Sequence, residues 1–209
     1  LMTEPGAMIG VTLLAPCHPS ERIVLRHAGL AVTLRSTATG AVFTALPGLQ
    51  SDATVEVMFA DGTTIGGRTE LAELAGLRRF GVQWQADDAF QLYGYEAGGV
   101  VSAAAPGQPP LGDAPSAGGY LTRLGDAGVD APLLAEIYTY PVDEAADPVI
   151  EAAVTPATCG RELLGETLSS VGGVVKVTDL TVAMPDCDAV GDFLVLKNLA
   201  PDLTLAAAN

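Results

Sequence analysis

Met184-Pro185-Asp186-Cys187-Asp188-Ala189-Val190-Gly191-Asp192 joins two apolar runs, and the reading of those runs decides the fold. Upstream, Leu180, Val182 and Met184 alternate with Thr181 and Ala183, the period-2 pattern of a half-buried strand. Pro185-Asp186 ends it, because proline cannot donate to a ladder. Downstream, Phe193-Leu194-Val195-Leu196 is unbroken and reads as a strand covered on both faces before Lys197-Asn198 turns polar. The expectation is a hairpin of two core strands with its acids at the rim. Cys159 begins the segment leading into it, so a Cys159–Cys187 bridge would tie that segment to the sheet. In the chain-entropy account such a bridge adds roughly 3 to 4 kcal/mol.

Composition points the same way. Of 209 residues, 49% are hydrophobic and 17% charged, while 24 Gly and 14 Pro break the apolar runs at short intervals. Many short strands and turns suit that punctuation, and long helices do not. The length allows one large domain or two small ones, and two are expected. The net charge of −15 argues against nucleic acid or an anionic membrane surface as partner, since both demand clustered positive charge. It suits calcium or a basic partner. Three cysteines leave Cys17 over if Cys159 and Cys187 pair: a buried thiol, an exposed reactive one, or, as expected here, a disulfide to a cysteine outside this chain. No run of about twenty apolar residues occurs, so no span is expected. Starting at Leu1 without a leader, the sequence is expected to be the remainder of a processed or trimmed chain.

Along the chain, Met8 to Ala15 reads as a strand stopped by Pro16-Cys17-His18-Pro19. Ile23, Leu25 and His27 share one face of the next strand, and Ala28-Gly29 turns it into Leu30, Val32 and Leu34. Strands follow at Ala41 to Leu46 and around Val55, Val57 and Phe59, before the Asp61-Gly62 turn. Leu71 to Leu77 reads as a short helical turn or a linker. Phe80, Val82 and Trp84 alternate with Gly81 and Gln83, a turn is expected at Ala86-Asp87-Asp88-Ala89, and a strand at Phe90 to Glu96. Residues 102–119, rich in Ala, Pro and Gly, read as a long mobile loop. Strands resume at Leu133 to Tyr140, Val149 to Val154 and Val174 to Met184, with Arg161 to Ser169 open between helix and strand.

Thr37-Ala38-Thr39-Gly40-Ala41-Val42-Phe43, then Leu46-Pro47-Gly48 and Val55-Glu56-Val57, resembles the pattern of carboxypeptidase-regulatory-like or prealbumin-like domains over residues 7–68. The Gly-x-Val-x-Asp opening of that family is absent. The resemblance implies a non-catalytic sandwich module attached to something else. Ala15 to Arg22 (Ala-Pro-Cys-x-Pro-x-Glu-Arg) and Met184 to Asp192 are similar to segments of an uncharacterised family of bacterial exported proteins, some labelled translocase. That likeness implies export and architecture. No phosphate-binding loop accompanies it, since Gly172-Gly173-Val174-Val175-Lys176 lacks the spacing.

Candidate chemistry is sparse. Asp186, Asp188 and Asp192 can converge on calcium, although the glycine and terminal glutamate of an EF-hand loop are missing; the plainer reading is a solvated turn. Asp87-Asp88 and Asp143-Glu144 are weaker candidates for the same role. With His18 and His27 the only histidines, and no Gly-x-Ser-x-Gly elbow, the common zinc and serine hydrolase sites have nothing to build on. His18 beside Cys17 is a poor candidate for thiolate activation. Tyr93 with Tyr95, and Tyr138 with Tyr140, share strand faces. If the two strands are neighbours, the rings form one ladder able to stack a sugar or anchor a protein, or simply to stabilise the sheet.

The expected protein is all-β, with two small antiparallel β-sandwich modules: residues 1–77 Ig-like or prealbumin-like, and 78–209 jelly-roll or lectin-like with the 102–119 loop. Its expected role is a non-enzymatic exported interaction or structural module. It would be periplasmic or extracellular, and an accessory to an envelope or membrane complex reached through an anchor outside this sequence. A carbohydrate-binding module, with or without calcium, comes second, and a glycoside-acting enzyme third.

Overall fold

The computed structural model describes residues 1–85, 90–96, 99–102, 118–197 and 199. The expected turn at 86–89, with Asp87 and Asp88, and most of the expected loop at 102–119 lie outside the described residues. Every strand pairing is antiparallel, and the strands form four sheets with no α-helix among the described residues.

The first 77 residues build two sheets. One contains β1 (Met2–Glu4), β2 (Met8–Leu14) and β5 (Ala41–Pro47) in that order; the other has the order β4 (Leu30–Arg35), β3 (Arg22–His27), β6 (Asp52–Met58), β7 (Thr64–Glu70). The β3–β4 hairpin turns on Ala28 and Gly29, both at positive φ (47° and 88°), as a two-residue loop between right-twisted strands requires. Gly29 also has no room for a side chain: a Cβ there would stand 2.6 Å from Val177 Cγ2. A single short 3-10 turn, Ala72–Gly76, leads into the second half.

There β11 (Tyr120–Leu124), β12 (Leu133–Pro141), β8 (Leu77–Gln85), β14 (Glu162–Val171) and β15 (Val174–Ala183) make a five-stranded sheet. A four-stranded sheet has the order β10 (Gly99–Ser102), β9 (Phe90–Glu96), β13 (Asp147–Ala153), β16 (Phe193–Leu196). The ambiguous segment 161–169 is strand: Leu163 and Leu168 are buried on opposite faces of β14.

The five-stranded sheet is covered on both sides, because its alternating residues enter different cores. Phe80, Val82, Trp84, Leu163 and Leu180 pack with Phe90, Leu92 and Ile150 of the four-stranded sheet. Ala135, Ile137 and Leu168, on the other face, pack with Ile9, Leu25, Leu30 and Val57 from the first two sheets. One face of a sheet thus completes the core begun by the first 77 residues.

Polar groups pin that junction. Arg79 is 1% exposed and its guanidinium donates to the backbone oxygens of Gly6, Ala7 (3.2 Å) and Gly48, with Nε on Thr139 Oγ1 at 3.1 Å. The N–H groups of Gly6 and Ala7 point the other way, to Glu73 Oε2 at 2.9 and 3.3 Å. The Gly6-Ala7 turn is thereby held between a carboxylate and a guanidinium. Ser170 donates to Leu49 O across the same junction.

Two expectations are corrected. β15 and β16 are not a hairpin, since they lie in different sheets. Nor is β16 covered on both faces: it is a four-residue edge strand, with Phe193 59% and Val195 44% exposed.

Candidate functional site

The outer face of the four-stranded sheet collects apolar groups that water still reaches. Register sets this face: Tyr95 stands between Val100 and Asp147, Tyr93 beside Val149, Glu151 between Gln91 and Val195, and Phe193 opposite Ala153. The residues between them, Leu92, Ile150, Leu194 and Leu196, turn inward to the core. Tyr95, Val100, Phe193 and Val195 are all exposed, and Tyr93 is half-buried, its hydroxyl donating to Gln91 Oε1 at 2.9 Å. Partial burial, then the charge of Glu151, pushes the Tyr93 phenol above its ordinary pKa. Exposed apolar groups gathered on one face mark interaction surfaces more often than singly scattered ones do.

Tyr138 and Tyr140 do not join that face. They sit on β12 in the opposing sheet, 0% and 7% exposed, stacked on each other with centroids 5.0 Å apart. The Tyr138 ring lies against Gly94, where a Cβ would come within 2.4 Å of it, and its hydroxyl donates to Glu96. Burial, then Glu96, drives its pKa far up. The four rings are therefore two sets in two sheets: one pair is core, and only Tyr93 and Tyr95 look outward. The sequence pattern could not separate these cases, because it shows which residues share a strand face and not which face is covered.

Beside this face the disulfide joins Cys159 to Cys187, with Cα atoms 5.0 Å apart. It ties two crossovers that run between the same two sheets, one from β13 to β14 and the other from β15 to β16. Backbone bonds stitch them further: Gly160 N–H to Pro185 O, Met184 N–H to Arg161 O, and Val154 with Asp192 and Gly191 in both directions, all 2.8–2.9 Å. The 3-10 turn Cys187–Ala189 belongs to this link. Asp186, Asp188 and Asp192 lie on the second of these crossovers. Among the described residues no three His, Cys, Asp or Glu side chains are disposed to hold a metal ion, and Asp143 with Glu144 are included in that statement.

Cys17 is exposed and unbridged within the chain. Its neighbour His18 is engaged elsewhere, stacked on Phe59 at 3.9 Å and paired through Nδ1 with Glu21 Oε2 at 2.8 Å. Glu21 also accepts the Ala60 N–H, which with His18 lowers its pKa. His27 is buried between Leu49 N–H, which donates to Nε2 at 2.8 Å, and Thr54 O, which accepts from Nδ1 at 2.9 Å. This fixes a neutral imidazole, and burial lowers its pKa.

Two buried groups the sequence left unread complete the picture. Arg79, which pins the junction of the first core, is one. Glu136, 2% exposed between the two sheets of the second core, accepts Leu92 N–H at 2.7 Å and pairs with Arg123 Nε at 3.0 Å. Burial outweighs both and raises its pKa. Comparison of the chain with known protein families, curated proteins and solved structures found no match.

Proposed function

We propose that the protein is a non-enzymatic interaction module of the cell envelope, an accessory to a periplasmic or membrane-associated assembly, and that the outer face of the four-stranded sheet receives the protein partner. The observation that carries this reading is that exposed Tyr95 and Val100 at one corner, and Phe193 and Val195 at the opposite corner, stand on the same sheet face. The disulfide supports an oxidising compartment, as export requires. Among the described residues no helix is long and apolar enough to cross a membrane, so attachment would come through a partner or an anchor outside this chain. In this reading the first two sheets are the prealbumin-like or Ig-like sandwich and the last two the jelly-roll or lectin-like one. The two motif-bearing segments, 15–22 and 184–192, carry the likeness to bacterial exported proteins.

The test is site-directed photo-crosslinking from position 193 in the native envelope, followed by mass spectrometry. A discrete protein adduct that disappears when Tyr95→Ser and Val195→Ser are introduced supports the reading. Crosslinks to lipid or solvent alone would refute it.

The exposed Tyr95 ring, next to half-buried Tyr93 and Gln91 on the same face, favours glycan stacking as the second reading. Binding on a glycan array that survives EDTA and is lost in Tyr95→Ala would move the conclusion there.

A further inference from the structure

A second surface lies on the opposite side of the five-stranded sheet, and nothing in the reading above uses it. Where the β3–β4 hairpin stops covering that sheet, a groove of about 530 Å³ opens, lined among others by Ala31, Gln83, Leu133, Leu164, Glu166 and Asp179.

Register explains its chemistry. Gln83 on β8 stands opposite Glu166 on β14, and Glu166 stands opposite Asp179 on β15, so an amide and two carboxylates form one row across the sheet face. The Gln83 amide is fully committed: its oxygen accepts Ala31 N–H at 2.9 Å, and its nitrogen donates to Gly29 O at 3.0 Å and to Glu166 Oε2. That contact fixes Glu166 beside exposed Asp179. Like charges directly opposite on paired strands repel, and among the described residues no Lys or Arg lines the groove to offset them. The row carries a local cost that a cation from outside would remove. On either side the next rows are less polar, Leu164 with Thr181 and Leu168 with Val177. Leu164 is 58% and Val177 40% exposed.

β15 is the last strand of its sheet, ten residues without proline, and among the described residues no strand pairs with its outer edge. An extended chain can add there through main-chain hydrogen bonds, with its alternate side chains continuing the rows of the sheet face. A residue paired with Asp179 points to the same face as the two carboxylates. The residues two before and two after it fall in the rows of Leu164 and Val177.

We propose that the free edge of β15 and the groove beside it take up an extended segment of a partner protein with the alternation apolar-x-basic-x-apolar, its Lys or Arg seated against Glu166 and Asp179. The charge of the whole chain, −15, steers such a segment toward it. The inference rests on the groove and this edge, not on the outer face of the four-stranded sheet.

The experiment is an NMR titration of the intact protein with the capped peptide Thr-Val-Thr-Lys-Thr-Val-Thr. Amide shifts should cluster on β15. Affinity should fall about tenfold or more when the peptide Lys becomes Glu, and equally in Glu166→Gln/Asp179→Asn. Asp186→Asn/Asp188→Asn, which changes net charge by the same amount elsewhere, should leave affinity unchanged. The acid-to-amide pair at 166 and 179 should also hold or raise the melting temperature, so that lost binding is not lost folding. Shifts away from β15, no shifts at all, or equal affinity in the Glu166→Gln/Asp179→Asn variant would overturn the proposal and leave these acids as guards of an exposed edge.

Discussion

On one face of the five-stranded sheet, the first core is closed by side chains that reach across to backbone: Arg79 to three carbonyls, His27 to Leu49 and Thr54, Ser170 to Leu49. On the other face, the second core is closed by two carboxylates, Glu136 on Leu92 N–H and Glu96 on the Tyr138 hydroxyl, and by a covalent bond between its two crossovers. The first junction depends on geometry, since each buried group is satisfied only while the opposing backbone stays in place. The second keeps a link that survives local loosening. The difference teaches that the same sheet can be locked by directional bonds on one side and by a restricted unfolded chain on the other.

Arg79→Met attacks the first lock and carries the largest expected effect. It leaves the oxygens of Gly6, Ala7 and Gly48 without this donor, and at about 1 to 3 kcal/mol for each unsatisfied buried group the loss should reach roughly 4 to 5 kcal/mol. A urea midpoint shifted by less than the equivalent of about 1 kcal/mol would show that the junction does not depend on it.

Removing the second lock with Cys159→Ser/Cys187→Ser should cost roughly 3 to 4 kcal/mol, as expected for a separation of 28 residues. The loss should be specific to place. Hydrogen exchange should quicken at β13 to β16 while the amides of β3 and β6 stay protected; uniform quickening would mean that the two cores unfold as one.

His27 gives the comparison a pH axis. Its pKa is lowered by burial, so on acidification the unfolded chain takes up the proton first. Its contribution is whole above the ordinary histidine value and is lost as pH falls toward the folded one. Wild type should therefore lose stability between about pH 7.5 and about 5.5, and His27→Gln should lose less over that range, after an initial cost of roughly 2 kcal/mol for the buried bonds. An equal loss of stability in both proteins, from denaturant titrations at the two pH values, would remove His27 from the account.

Glu136 has the opposite sign and the smallest effect. Its raised pKa means the folded state holds the proton more tightly, so its contribution is greatest at acid pH and declines as pH rises from the ordinary carboxylate value to the folded one. Glu136→Gln keeps an acceptor for Leu92 N–H and should change neutral stability by about 1 kcal/mol or less. It should abolish that decline, and an unchanged pH profile would show that Arg123 dominates instead.

Strands were legible wherever one face met core and the other water, as in Val55 and Val57 of β6, whose neighbours Thr54 and Glu56 are exposed. So was the disulfide, because spacing and turn chemistry put both cysteines beside strand ends. The covering of a second face was not legible. Arg79, Gly81 and Gln83 have the polarity of a solvent face, yet Arg79 and Gln83 are buried because the first 77 residues lie over them. Phe193 to Leu196 shows the reverse error: four apolar residues resemble a central strand but lie at an edge, because strand order is set by chain crossovers and not by local hydrophobicity. The Tyr138–Tyr140 pair failed as a surface for the same reason.

The Gly6-Ala7 turn, held between Glu73 and Arg79, also sets an order of events at the ribosome. Gly6 and Ala7 emerge about seventy residues before either partner. Leu49, the acceptor for Ser170, is made 121 positions before its donor. Residues 1–77 must wait with their junction backbone hydrated and their core face open until β14 has been translated. Contacts so distant in sequence place this protein among slow folders, for which holding by a chaperone during synthesis is worth most.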